Sequence, residues 1–468
     1  MEKQNNKKSF TLPTAYSILL LITIVIAIAT QFLPDVKPAT LSDIVMSPIN
    51  GLKDAIDISL YVLLMGGFLG VVNKTGALDA GIGSIVKKLN GKELLLIPIL
   101  MIVFSLGGTS YGMSEETLAF YALITATMMA AGFDSLTAVA TILLGAGTGV
   151  LGSTVNPFLI STSIDSLKAS GIVVNQAVVI GIGVALWLSS LFISMFFVVR
   201  YAKKVKNNKA SSILSSREYE EAEKMFMDNK EDTLEFTPRR RVVLWLFGLS
   251  FVVMIFGVIP WERFGIEIFK NTDILTGSPL GSWWFSELAV WFTIMAIIIG
   301  IVYGLKEKEI VSGILEGASE MVGVALIIGI SRGVSVIMSN TGLDAYVLNH
   351  ASQTLSGMSP ILFTNMAFLI YIALAFLIPS TSGLASLSIP IFGPLAKRLG
   401  FSPEIVISIL SAGSGLVNLI TPTSGVIMGG LTIAKVEYST WVKFVTKIAV
   451  CIFISSAIIL SIGMMFLK

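Results

Sequence analysis

Four short hydroxyl-rich stretches interrupt the apolar runs of this 468-residue chain, two in each half. Gly107-Gly108-Thr109-Ser110 is followed by Gly152-Ser153-Thr154-Val155-Asn156-Pro157, and Pro379-Ser380-Thr381-Ser382-Gly383 by Thr421-Pro422-Thr423-Ser424-Gly425. The runs around them, such as Tyr16–Phe32, Val242–Ile259 and Val445–Leu467, have the length of bilayer spans, about 20 residues. In hydrocarbon, backbone leaves the helix only where protein or a water-filled cavity satisfies its polar groups. Paired breaks at corresponding places in two halves therefore point to a ligand site at membrane depth.

Composition agrees with a multi-span, all-α membrane protein: 54% of residues are hydrophobic and 13% charged, against about 25% charged in globular chains. The first apolar segment is too long for a signal-peptide core and lacks a small-residue cleavage site, so it reads as a retained helix. One cysteine, Cys451, excludes an internal disulfide framework, and one histidine, His350, cannot build a metal cage. Gly145-Ala146-Gly147-Thr148-Gly149 lacks the lysine of a phosphate-binding loop. No nucleophile–base pair suggests an enzyme, and gradients of ions or substrate are the expected energy source.

The charged interval 203–241, with Arg239-Arg240-Arg241 and the acidic patch Glu218 to Glu235, separates a membrane half over 1–202 from one over 242–468. It reads as a solvated loop. With a cytoplasmic N-terminus, inside segments carry 23 of the 32 lysines and arginines and outside segments 8, with Arg332 alone within a span; this bias fixes the expected orientation and leaves the C-terminus outside. Segment 94–131 then starts and ends inside and is expected to be a re-entrant hairpin with a short first arm, 94–106. Segment 360–398 starts and ends outside and is its mirror-related counterpart. Each leads into a long helix, 134–162 and 403–431, broken near its middle. Gapless alignment of Gly132–Ile160 with Gly400–Met428 pairs Gly132/Gly400, Phe133/Phe401, Gly145/Gly413, Gly147/Gly415 and Leu151/Leu419, and Thr75–Ala80 echoes Thr341–Ala345. Order, spacing and opposite orientation together predict two inverted-topology repeats.

Asn156-Pro157 and Thr421-Pro422 each place a capping side chain before a proline suited to a first helical position. Ser114 can cap a restart with Glu115 and Glu116 in its first turn. Four half-helix N-termini would then converge, and their free N–H groups favour a carboxylate; the competing reading is packing glycines with hydroxyls bonded back to their own helices. Glu115 and Glu116 at membrane depth suit a substrate that also carries positive charge, a proton- or sodium-binding group, or a first-turn carboxylate serving the helix dipole. Arg332 can fork onto a substrate carboxylate, neutralise Glu115, Glu116 or another buried acid, or snorkel to the surface. Asn418 and Asn156 can offer amide contacts. Asp134, Asp165 and Glu404 fit capping roles, Trp283, Trp284 and Trp291 an interfacial belt, and His350 an outer loop.

At Gly112-Met113-Ser114-Glu115-Glu116-Thr117, Leu326–Val334 around Arg332, Pro379–Gly383 and Thr421–Gly425, the chain resembles the YfcC-like branch of the anaerobic four-carbon-dicarboxylate carrier family, within the ion-transporter superfamily. The resemblance runs from about Tyr16 to the C-terminus. It implies the inverted-repeat fold, a homodimer in the lipid bilayer and an elevator motion. Members of the branch are described as basic amino-acid antiporters of the arginine/ornithine type, and relatives carry dicarboxylates. By that resemblance the hairpin-tip residues Thr109, Ser110, Ser380, Thr381 and Ser382 and the break residues Ser153, Thr154, Asn156, Thr421, Thr423 and Ser424 join Glu115, Glu116, Arg332 and Asn418 as substrate-binding candidates. The tips, Gly-Thr-Ser and Ser-Thr-Ser, depart from the Ser-Asn-Thr of dicarboxylate-binding relatives. The expectation is a secondary transporter of small carboxylate-bearing metabolites, an exchanger of basic amino acids, or alternatively a proton- or sodium-coupled importer of C4-dicarboxylates or small peptides. No cofactor is expected apart from a coupling ion, Na+ or H+, and no nucleic acid partner.

Overall fold

The computed structural model describes residues 15–78, 80–81, 84, 92–227 and 235–467. The basic N-terminal tail, Asp79, Lys87, Lys88 and residues 228–234 of the acidic patch lie outside the described residues. Among the described residues there is no strand, and eight helices are long and apolar enough to cross a bilayer.

These helices sort into two bundles. The first forms around Glu307–Thr341, a 35-residue helix with glycines spaced along it. Ile56–Lys74 lies against its first half at backbone contact. A Cβ on Gly67 would sit 3.0 Å from the Ile314 carbonyl oxygen, and one on Gly70 2.9 Å from the Gly317 Cα. Leu41–Asp54 lies against the second half, where Gly51 meets Gly329 and Gly333. In lipid there is little hydrophobic drive between helices, so small residues that permit this approach supply the attraction through dispersion. Pro238–Val258 and Phe285–Tyr303 close the bundle with an aromatic cluster: Phe68 stacks on Phe247 at 5.7 Å and meets Phe292 edge-on at 5.0 Å.

The second bundle contains both hairpins, both broken helices and the long helices Gln176–Asn207 and Tyr438–Phe466. Its centre is the crossing of Ser135–Leu151 and Pro403–Val417. There the Ser411 hydroxyl donates to the Leu151 carbonyl at 2.9 Å, and Gly415 admits Leu151 so closely that a Cβ would lie 2.7 Å from the leucine's own. The echo between halves has a structural counterpart. Gly132 and Gly400, with φ of 90° and 78°, end the second hairpin arms in the left-handed region. In both, the following phenylalanine N–H reaches back five residues, from Phe133 to Met128 and from Phe401 to Ala396, at 2.9 Å.

Three sequence expectations change. The first hairpin arm does not stop at residue 106: helix Leu96–Tyr111 runs through Gly107-Gly108-Thr109-Ser110, and the break falls at Gly112–Ser114. The glycine pair serves close packing instead, with Gly108 and Gly149 facing across the interface such that a Cβ on Gly108 would lie 3.0 Å from the Gly149 Cα. The interval 203–241 is not simply a solvated loop, because Gln176–Asn207 extends into it and helix Ser216–Phe226 buries Glu218 and Ala222. The tryptophans do not form one belt: Trp283 and Trp291 donate inward to the Ser278 and Ser250 carbonyls, at 3.0 and 2.9 Å. His350 is exposed as expected, but within helix Leu343–Leu355 and not in a loop, its ring tilted 35° to that of Tyr346.

The glycine contact makes a stability prediction. Gly70→Leu or Gly317→Leu should cost about 1–3 kcal/mol or more by overpacking and lower the melting temperature of purified protein in detergent. Gly181→Leu, at a position with open space around it, should leave it nearly unchanged.

Candidate functional site

The four breaks solve the same problem with different residues. At hairpin one, Gly112 takes a left-handed φ of 83° and ends the first arm; Cβ-bearing residues avoid that region. The chain restarts as a 3-10 helix over Glu115–Phe120, and the expected Ser114 cap is replaced by Glu116, whose carboxylate accepts the Ser114 N–H at 3.0 Å. At the first broken helix, Asn156 caps as expected, accepting the Phe158 N–H at 3.0 Å ahead of Pro157, while its amide donates to the Ser153 hydroxyl at 3.0 Å. At hairpin two, Ser380 accepts the Gly383 N–H at 3.2 Å and helix Thr381–Arg398 begins. At the second broken helix the cap is Ser424 and not Thr421: the helix starts at Gly425, and the Thr421 and Thr423 hydroxyls lie 2.7 Å apart in the preceding turn.

All four restarts border one cavity of about 290 Å³. Glu115 and Glu116 line it from hairpin one, and Asn156 from the first broken helix. Ser380, Thr381 and Ser382 line it from hairpin two; Asn418, Thr423 and Ser424 line it from the second broken helix; Arg332 faces it from Glu307–Thr341. The Asn418 side-chain oxygen has no hydrogen-bond partner among the described residues. Thr381 is in reach of the Ser414 hydroxyl at 3.3 Å, and Thr423 donates to the Phe376 carbonyl at 3.2 Å and receives the Ser331 hydroxyl on its own carbonyl.

Five other candidates are not among the lining residues. Thr109 donates to the Gly152 carbonyl at 2.7 Å, and Thr154 returns both its N–H and its hydroxyl to the Thr109 carbonyl, at 2.9 and 3.0 Å. Ser110 bonds back to Leu106 at 2.6 Å and Ser153 to Val150 at 2.7 Å. Together with Thr421, these hydroxyls are engaged in stapling hairpin one to the first broken helix and in closing their own turns. Local back-bonding of this kind is the ordinary use of serine and threonine in membrane helices.

Two acids that sequence reading passed over complete the cavity. Asp54 and Asp57 line it from the junction of Leu41–Asp54 and Ile56–Lys74. Arg332 pairs with Asp54, an exposed carboxylate, and not with Glu115, Glu116 or another buried acid. Asp57 has no ion-pair partner among the described residues. An aromatic wall also went unread: Phe158 lies 4.4 Å from Trp284, and both line the cavity. The available signal was two acids three residues apart at the head of a spanning run, where insertion is costly unless the charge is used. With four carboxylates and one guanidinium, itself paired, the lining is net negative.

A carrier family's pattern fits this architecture over nearly its whole length: the C4-dicarboxylate anaerobic carrier family, DcuC, matches residues 37–465. A Haemophilus influenzae protein is 32% identical over 423 residues, covering 90% of this chain and 78% of its own. The Escherichia coli K12 protein named "Putative basic amino acid antiporter YfcC" is 28% identical over 417 residues, covering 86% and 77%. Among solved structures, the Alcanivorax borkumensis YdaH transporter is similar over 97% of this chain and 99% of its own, at a TM-score of 0.49 and 15% identity. Neisseria gonorrhoeae MtrF is similar over 98% and 97%, at 0.45 and 17%. The chain belongs to the C4-dicarboxylate anaerobic carrier family and is a multi-pass membrane transporter, not an enzyme.

Proposed function

We propose that the protein is a secondary antiporter of basic amino acids, exchanging substrates of the arginine/ornithine type. The observation that carries this reading is the joining, in one cavity, of four helix restarts with a net negative lining. Free N–H groups at helix starts suit a carboxylate, and Asp57, Glu115 and Glu116 suit the cationic groups of the same molecule. Ser380, Ser382, Ser424 and the Asn418 amide would hold the carboxylate end. The E. coli relative named for basic amino acids supports the same substrate class.

In this reading the hairpin bundle moves past the bundle built on Glu307–Thr341, presenting one site alternately to each side as an elevator, and the protein works as a homodimer. Both hairpins are re-entrant, from opposite faces, within inverted repeats on either side of 203–241. The N-terminus and the charged interval face the cytoplasm. The family name favours a second reading, coupled import of C4-dicarboxylates or small peptides, with Arg332 as anion ligand and the glutamates as Na+ or H+ sites.

Proteoliposomes loaded with ornithine should take up labelled arginine by counterflow and ignore succinate; uptake driven by succinate or fumarate alone, with arginine, ornithine and lysine all inert, contradicts the basic-substrate reading. Glu116→Gln should weaken arginine binding roughly ten- to a hundred-fold, the ~1.5–3 kcal/mol of a charged hydrogen bond. Retained binding with loss of pH or sodium dependence would favour coupled import. For orientation, a cysteine replacing the exposed Ile274 should react with an impermeant thiol reagent in intact cells, and one replacing Glu220 only after permeabilisation.

A further inference from the structure

Two buried carboxylates lie away from the cavity and face the charged interval. Asp134, 0% exposed, caps helix Ser135–Leu151 through one oxygen, which accepts the Thr137 N–H at 2.9 Å and its hydroxyl at 2.6 Å. Its other oxygen accepts the Tyr201 hydroxyl and the Ser212 hydroxyl, each at 2.6 Å. Glu218, 3% exposed, closes the capping box of helix Ser216–Phe226 by accepting the Ser215 N–H at 2.7 Å. It also reaches the start of helix Tyr438–Phe466, where it accepts the Glu437 N–H at 2.8 Å and the Thr440 hydroxyl at 3.2 Å. The four partners of these carboxylates outside the interval, Thr137, Tyr201, Glu437 and Thr440, all belong to the hairpin bundle. The far end of the interval is tied elsewhere. Arg240 Nε donates to the Thr75 carbonyl at 3.0 Å, at the end of Ile56–Lys74 in the other bundle, and Nη1 to the Glu235 carbonyl at 2.8 Å.

We infer that the charged interval is a strap with two anchored ends: Ser212–Met227 is fixed to the hairpin bundle by Asp134 and Glu218, and Glu235–Arg241 is fixed to the glycine-packed bundle by Arg240. A carboxylate that is buried is held there by its donors, since without them its burial is costly. Each of the two carboxylates spends its acceptor capacity on both the strap and the bundle, so separating them leaves donors and acceptors unpaired on both sides. The linker helix therefore has no independent position; it travels with the hairpins, and whatever binds its outer face acts on the hairpin bundle directly. This rests on the two-body reading given above. Asp134 and Glu218 act as positioning residues, touching no cavity-lining group.

The test uses the full chain carrying Cys451→Ser, in lipid nanodiscs, with pulsed electron paramagnetic resonance between spin labels at Glu220 and Lys443, both exposed positions. The expected result is one narrow distance distribution, with and without arginine, that broadens in the Ser212→Ala/Glu218→Ala variant. Both substitutions lie on the strap and change no residue of either bundle, and Ser212→Ala alone should broaden it less. A broad distribution in the parent, or an unchanged narrow one in the double variant, overturns the inference. A second pair, Glu220 with Lys308, reads the two-body motion separately. More than one distance there supports that motion; a single fixed distance contradicts the motion while the Glu220–Lys443 result still decides the anchoring.

Discussion

Unpaired backbone at four helix breaks in an apolar fold is the constraint from which the rest of this structure follows. Hydrocarbon offers nothing to an N–H or carbonyl group freed from its helix, so each of the four breaks needs protein partners for the groups it releases. Asn156, Ser380 and Ser424 supply caps, Glu116 turns back on its own restart, and Thr109 and Thr154 exchange bonds with each other's segments. Residues of all four restarts line a common cavity, where water or ligand can serve groups left over.

Packing keeps these breaks in register. Gly108 against Gly149 brings hairpin one to backbone contact with the first broken helix, and Gly415 against Leu151 joins the two halves, which holds the restarts around a space of about 290 Å³. The other bundle is held by the same device, Gly67 and Gly70 against Glu307–Thr341. It contributes the charges that lie opposite the hairpin tips: Asp54 paired with Arg332, and Asp57 beside them. The cavity is thus walled by two bodies, the polar caps lying mainly on one and the Asp–Arg pair on the other.

How much of this was legible in the sequence depended on range. Breaks marked by Asn-Pro or Pro-Ser-Thr-Ser could be read locally, because capping chemistry acts over two or three residues, and helix starts at 157 and 381 follow from it. The Gly107–Ser110 stretch misled because a glycine-hydroxyl run has two uses in a membrane helix, breaking or close packing, and only the presence of Gly149 opposite decides between them. Thr421-Pro422 has the grammar of a cap, yet Thr421 bonds Thr423 and the start moves to Ser424. The pairing of Asp54 and the burial of Glu218 went unread because their partners, Arg332 and the start of helix Tyr438–Phe466, are hundreds of residues away. Such pairing leaves no periodic trace.

The shared cavity is most directly tested by chemical cross-linking. Cysteines replacing Ser114 and Ser382, in a chain carrying Cys451→Ser, would be treated in native membranes with a short bifunctional thiol reagent. The expected result is an intramolecular cross-link joining the two hairpin tips, reduced when arginine or ornithine fills the space between them. Two tips that never cross-link, each labelled from its own aqueous side alone, would contradict a common pocket.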